Sequence, residues 1–351
     1  MVIIRILNFF IFLFLINIAN NVLSSEIIDY ETESYIKKIN QEILSVNNYE
    51  KEINFKIIID RSPNAFINQD NILFISSGLI IDAPDYVAFL GVLAHEIGHL
   101  EKYHISKRKE SIQNLKSINT LGNLSIIAGS LISNNPEMMS ALAVNQVGIN
   151  NFYLGFSKDQ EREADYYAIE TLNKLSLSSN SIIKLLQILE RNAINKGIGE
   201  ELQKFSTHPI FKERYQIITE KKIDKKNKFN EKLNDEFNFI KAKFLGYSEI
   251  EGAFSFKKYH QEYYESIKLS KSGNLLDSLR LLNKLILQFP DNVYLVETKA
   301  DILISYGYKK EAVKFYKKVL DVIPDNNYAK LRIFLNLDID SLNYNQKKKI
   351  I

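Results

Sequence analysis

Apolar and polar positions along this chain change period several times. The first apolar run, Ile6 to Ile16, follows Arg5 and precedes small and polar residues. That layout predicts a signal peptide. Asn8 and Asn17 interrupt the run, and it falls short of the roughly 20 residues a membrane-spanning helix needs. Val22 and Ser24 suit the positions before a cut near Ser25. Tyr30 to Ile43 reads as a polar helix. Ile53 to Ile59, with Phe55, Ile57 and Ile58, reads as a strand that stops at the turn cluster Asp60-Arg61-Ser62-Pro63-Asn64, and Ile72 to Ser76 reads as a second strand. The two predict a small antiparallel sheet. Asp82 and Pro84 then signal a helix start, and Val87, Leu90, Ala94 and Ile97 form one helical stripe. Residues 111–150 are apolar but broken by Asn134-Asn135-Pro136, which predicts a buried hairpin or a cover and not a bilayer span. Helical periods return at 158–175 and 180–195, and Lys221 to Lys232 reads as a solvated helix or linker.

The C-terminal part repeats itself. Pro290-Asp291-Asn292 recurs as Pro324-Asp325-Asn326, and Gly273 recurs as Gly307, both 34 residues on. Ser278 and Ala312, Leu281 and Phe315, and Ile286 and Leu320 keep the same phase. A period of 34 is that of the tetratricopeptide helix pair. Two units are marginal alone, so they are expected to pack on a preceding helix at 230–246.

Composition narrows the function classes. The chain has 351 residues, 46% of them hydrophobic, enough for a substantial core. Its 45 basic and 42 acidic residues give a net charge of +3. No broad field attracts nucleic acid, and membrane association is expected to be peripheral at most. With no cysteine, disulfides, thiolate metal sites, cysteine nucleophiles and a lipidated N-terminal cysteine are all excluded. An exported chain of this kind fits a bacterial periplasm.

Candidate chemistry centres on His95-Glu96-Ile97-Gly98-His99. Two histidines four apart share one helix face, so both imidazoles can reach one zinc ion. Glu96 is turned away from both and is placed as a general base toward the attacking water. A third protein ligand is needed. The His-x-x-Gly-x-x-His continuation fails, because Lys102 and Ile105 occupy its positions. His104 falls about 140° around the helix from His99, and is expected at the surface or behind the ligands. Glu161-Arg162-Glu163-Ala164-Asp165 begins 62 residues after His99 in a helical pattern. Glu161 and Asp165 share a face while Glu163 points elsewhere. Glu161 is therefore assigned as the third ligand, and Asp165 as the acceptor of a hydrogen bond from a ligand imidazole. The segment could alternatively be a solvated charged face. Thr207-His208-Pro209, with Arg214 beyond, is the last polar cluster. His208 could stabilise an oxyanion, cover the metal, or only cap a helix.

Ser62-Pro63-Asn64-Ala65-Phe66, Ser77-Gly78-Leu79, HEIGH, EREAD and THP with its following arginine occur in the order found in BepA-like and HtpX-like zinc metallopeptidases, a gluzincin family that residues 50–215 resemble. The tetratricopeptide tail resembles the periplasmic BepA-like branch. The resemblance implies the third ligand at the first glutamate of EREAD, Glu161, in agreement with the face argument. The expected site is then one zinc per subunit on His95, His99 and Glu161, with Glu96 and His208 as the catalytic residues and Asp165 and Arg214 behind the ligands. The resemblance also implies that the strand at Asn71 to Ile75 pairs with substrate as an added strand. The turn before it, Ile67-Asn68-Gln69-Asp70, lacks the glycines common in the family. The membrane spans of HtpX-like members are not evident.

The expected fold class is thus α+β and predominantly helical. Residues 1–24 form the signal peptide, 25–220 a gluzincin catalytic domain, 221–255 a linker and connecting helix, and 256–351 a tetratricopeptide domain. The expected function is zinc-dependent endoproteolysis of misfolded or stalled exported proteins, including outer-membrane proteins, with the repeats binding substrate or the outer-membrane assembly machinery. The alternative is a periplasmic chaperone or assembly scaffold with a structural zinc.

Overall fold

A computed structural model of the chain describes residues 26–68, 70–107, 156, 158–195, 211–221, 228–248 and 255–336. The signal segment, the 111–150 stretch and Thr207-His208-Pro209 lie outside these residues.

The first helix, α1 (Tyr30–Asn47), starts where Asp29 accepts a hydrogen bond from the Thr32 backbone N–H at 2.8 Å, and ends at Asn48 in the left-handed region. Its buried stripe is Tyr35, Ile36, Ile39 and Ile43. The same core takes in a sheet of β1 (Glu26–Ile27), β2 (Asn54–Ile58), β3 (Ala65–Ile67) and β4 (Ile72–Ser76), in the order β1-β2-β4-β3.

The sheet differs from expectation in two ways. It is mixed, not antiparallel: β2 runs parallel to β4, with Phe55 opposite Leu73 and Ile57 opposite Ile75, while β1 and β3 pair antiparallel at its two sides. And β4, which holds Ile72 to Ile75, has a strand on each side. It therefore cannot add a substrate strand; among the described residues β3 is the outer strand on that side. The cause is the turn cluster. Ser76 Oγ donates to the Ser62 carbonyl and accepts from the Asn64 N–H, both at 2.8 Å. These bonds fold residues 62–67 back along β4.

Ser76 also caps α2 (Ser77–Asp82). The next helix, α3 (Tyr86–Glu101), is capped by Asp85, which accepts from Ala88 N–H at 2.9 Å. Nearly every residue from Tyr86 to His99 is buried, as a helix apolar all round requires. It packs on α4 (Lys158–Leu175) and α5 (Asn180–Asn195). Against α4 the approach is close at Gly98, where an added Cβ would sit 3.0 Å from Tyr167 Cβ and 3.2 Å from Ala164 Cα. A short helix α6 (Phe211–Lys221) covers α4 and α5.

Helix α7 (Glu231–Tyr247) joins the two halves. Lys241 Nζ donates to the Ala83 carbonyl at 2.8 Å, and Lys243 Nζ binds Asp29 and Glu31, each at 2.6 Å. Beyond it, α8 (Lys258–Lys271) pairs with α9 (Leu275–Gln288), and α10 (Val293–Ser305) pairs with α11 (Lys309–Val322), before α12 (Asn327–Asn336). The 34-residue period is visible in the backbone. Gly273 and Gly307 both turn between paired helices with φ of +88° and +84°, and Ser278 and Ala312 are both fully buried. One apolar core runs from α1 to α10, and a smaller cluster holds α10 to α12 together.

Candidate metal centre

Helices α3 and α4 meet at His95, His99 and Glu161. His95 Nε2 and His99 Nε2 are 3.1 Å apart, and Glu161 presents Oε2 at 3.4 Å from His95 and Oε1 at 3.5 Å from His99. All three side chains are buried. A tetrahedral ion with bonds of about 2.0–2.1 Å sets its ligand atoms about 3.3 Å apart. The triangle therefore has the size and the donor types of a zinc site with one position left open. Glu96, next to His95 on α3, is buried at the same place.

Each imidazole is gripped from behind. His95 Nδ1 lies 2.8 Å from Asp165 Oδ1, and Arg214 on α6 forks onto the same carboxylate, Nη2 to Oδ1 at 2.7 Å and Nε to Oδ2 at 3.0 Å. Burial works to raise the Asp165 pKa, but Arg214 and His95 outweigh it and hold the carboxyl below its ordinary value. An ionised Asp165 accepts the Nδ1 proton of His95, which leaves Nε2 unprotonated where it faces the triangle. The second imidazole is held differently. His99 Nδ1 contacts His104 Nδ1 at 3.0 Å, and His104 Nε2 contacts Glu163 Oε2 at 2.9 Å. Burial dominates at His104 and keeps its pKa below the ordinary histidine value. Phe156 stacks on the His99 ring, centroids 3.7 Å apart.

The structure thus brings together His95, Glu96, His99, Glu161, Asp165 and Arg214. His208 lies outside the described residues. Of the two places open to His104, the surface or behind the ligands, it takes the second, against His99, while the contacts of Glu163 and Phe156 with this histidine pair are not marked by the sequence. Glu163 leaves the Glu161 face, as the helical spacing predicts, and meets His104 there. The one available signal was a histidine closely following HEIGH.

The family profile described as peptidase family M48 matches residues 31–222, more than half of the chain. Among relatives, the β-barrel assembly-enhancing protease of Yersinia pestis is 21% identical over 316 residues, 84% of this chain and 62% of that protein. The protein of the same name from Escherichia coli K12 is 21% identical over 309 residues, 82% and 61% of the two chains. Metalloprotease YcaL of E. coli K12 is 26% identical over 175 residues, 48% and 62%. The chain spans about three fifths of the length of these relatives. The matched span contains α3 and α4, whose His95, His99 and Glu161 form the triangle, and α6, whose Arg214 stands behind it, and on that ground the chain belongs to peptidase family M48 and carries its metallopeptidase domain.

Proposed function

We propose that this chain is a zinc-dependent endopeptidase of the cell envelope that cleaves misfolded or stalled exported proteins, with outer-membrane proteins among them. The observation that carries the reading is the buried triangle of His95, His99 and Glu161 beside Glu96. Zinc, when bound there, supplies a Lewis acid toward the scissile carbonyl and lowers the pKa of water. Glu96 takes the proton of the attacking water and passes it to the leaving amine. Asp165 and Arg214 fix the His95 tautomer. His208 is proposed to stabilise the oxyanion or cover the metal, and His208→Ala separates these roles by lowering or raising proteolysis.

Substrate is proposed to pair as an extended strand with β3, which lies at the sheet edge and packs against α3. Strand pairing reads backbone, so an unfolded client satisfies it whatever its sequence. The 34-residue helix pairs are proposed to be tetratricopeptide repeats that hold clients or the outer-membrane assembly machinery. The names of the Yersinia and E. coli relatives support that direction. Residues 1–24 are proposed to direct export to the periplasm, and no described helix is long and apolar enough to cross a membrane.

Casein proteolysis by the zinc-loaded chain tests the reading. Cleavage is expected, and it should vanish both with a chelator and in Glu96→Gln while zinc stays bound in the variant. Full cleavage by Glu96→Gln would refute the assigned chemistry. Protection of a client from aggregation by a chain that never cleaves would favour a scaffold.

A further inference from the structure

His104 is fully buried five residues after His99, where a continued helix would carry it about 140° away. Helix α3 instead ends at Glu101, and Tyr103 adopts a positive φ of 59°. A bulky residue rarely takes that conformation. The turn it makes returns His104 to the ligands, Nδ1 against His99 Nδ1 at 3.0 Å. The proton positions follow from the geometry. His99 Nε2 faces His95 and Glu161, so as a ligand it is bare and Nδ1 carries the proton. His104 Nδ1 must then accept. Its own proton sits on Nε2 and is donated to Glu163 Oε2 at 2.9 Å.

We propose that His104 is a positioning residue of the metal centre, which fixes the tautomer and ring plane of His99 and is itself oriented by Glu163. This rests on the metal-site reading above. The two ligand histidines are then supported unequally: His95 by a buried ionised pair, His99 by a neutral imidazole whose far partner, Glu163, is 53% exposed at its side chain. Phe156, stacked on the His99 ring, holds its face while His104 holds its edge. The assignment predicts a graded series. His104→Leu removes the acceptor. His104→Asn keeps an acceptor near Nδ1 and loses only the Glu163 contact. Glu163→Gln keeps an acceptor for Nε2–H at the exposed end.

Zinc dissociation constants of the purified full chain, measured by competition with a chromophoric chelator, test this. His104→Leu should weaken zinc binding about 10–100-fold. His104→Asn should recover most of that loss, and Glu163→Gln should stay near wild type. The cobalt(II)-loaded absorption spectrum should shift in His104→Leu alone. Independently of any variant's folding, long-range proton–nitrogen NMR of the zinc-loaded wild type should show His104 with the proton on Nε2. Wild-type affinity in His104→Leu, or a proton on His104 Nδ1, would overturn the proposal. A wild type that takes up no zinc would sink the metal-site reading, and this positioning role with it.

Discussion

Asp165 holds two unlike partners at once, an imidazole and a guanidinium, with only 3% of its surface exposed. An ionised carboxylate in that position stays ionised because Arg214 is there, and the same contact raises the Arg214 pKa against the effect of its burial. Removing the charge while keeping the shape therefore strands a buried cation. Asp165→Asn is expected to lower stability by about 3–5 kcal/mol, the usual loss when one partner of a buried pair is removed. Zinc affinity should fall about 10–100-fold in the same variant, since Asn offers the His95 Nδ1–H a weaker acceptor. Urea unfolding in chelator and zinc competition measure the two effects separately; a variant as stable as wild type would show that the ion pair contributes little. The sequence made Asp165 readable because it shares a helix face with Glu161, a local relation that survives folding. His104 was not readable in the same way. Its place depends on Tyr103 leaving the helix, and nothing in a helical wheel contains that turn.

Between elements, the site depends on how closely α3 and α4 approach. Gly98 is the x before the second histidine in HEIGH, and its missing side chain lets α4 lie against α3 at Ala164 and Tyr167. The opposing atoms are a backbone Cα and a Cβ, so neither can rotate aside. Gly98→Ala gains about 1 kcal/mol in helix propensity and loses about 1–3 kcal/mol to overpacking. Net stability should therefore drop only slightly. Zinc affinity should drop more clearly, because Glu161 rides on α4 less than one turn from Ala164 and moves with it. Calorimetric melting in chelator beside zinc competition would reveal this split; unchanged affinity would show that the helices separate elsewhere. Helices α4 and α5 lie where their periods placed them, at 158–175 and 180–195, since long amphipathic segments carry their own signal. The three residues of β3 do not. They follow directly on the Ser-Pro-Asn cluster that reads as turn, and become a strand through pairing with β4 once Ser76, twelve residues from Asn64, has folded that cluster back. Strand order is likewise non-local, which is why β4 could be taken for an edge when its parallel pairing with β2 puts it inside.

At the scale of the molecule, the two halves meet over buried charge as well as a shared core. Lys243 reaches Asp29 and Glu31 from α7, beside a cavity of about 830 Å³ that Glu297 and Asp301 also line. Glu297 is 3% exposed and accepts a hydrogen bond from Asn326 at 2.7 Å. Its pKa is pushed up to about 8, first by burial and then by Asp29, with Lys243 opposing. The sign of its effect on folding follows. An ordinary glutamate loses its proton near 4.5, as Glu297 does in the unfolded chain. Between that value and about 8 the folded chain holds a proton that the unfolded chain has released, so stability falls as pH rises, by about 1.4 kcal/mol per pH unit at most. Glu297→Gln is neutral throughout and still offers a carbonyl to Asn326. Urea unfolding of both proteins at pH 5, 6, 7 and 8 should show the variant gaining steadily on wild type across that window. Taking the difference cancels His260, whose pKa is lowered to about 4 mainly by burial and whose stabilising trend with rising pH is common to both proteins. Lys241, lowered to about 8 by burial, begins to release its proton only at the top of the window, and that trend is common to both proteins as well. A constant difference from pH 5 to 8 would mean that Glu297 is ionised in the folded chain, and that its charge is held beside Lys243 together with those of Asp29 and Glu31.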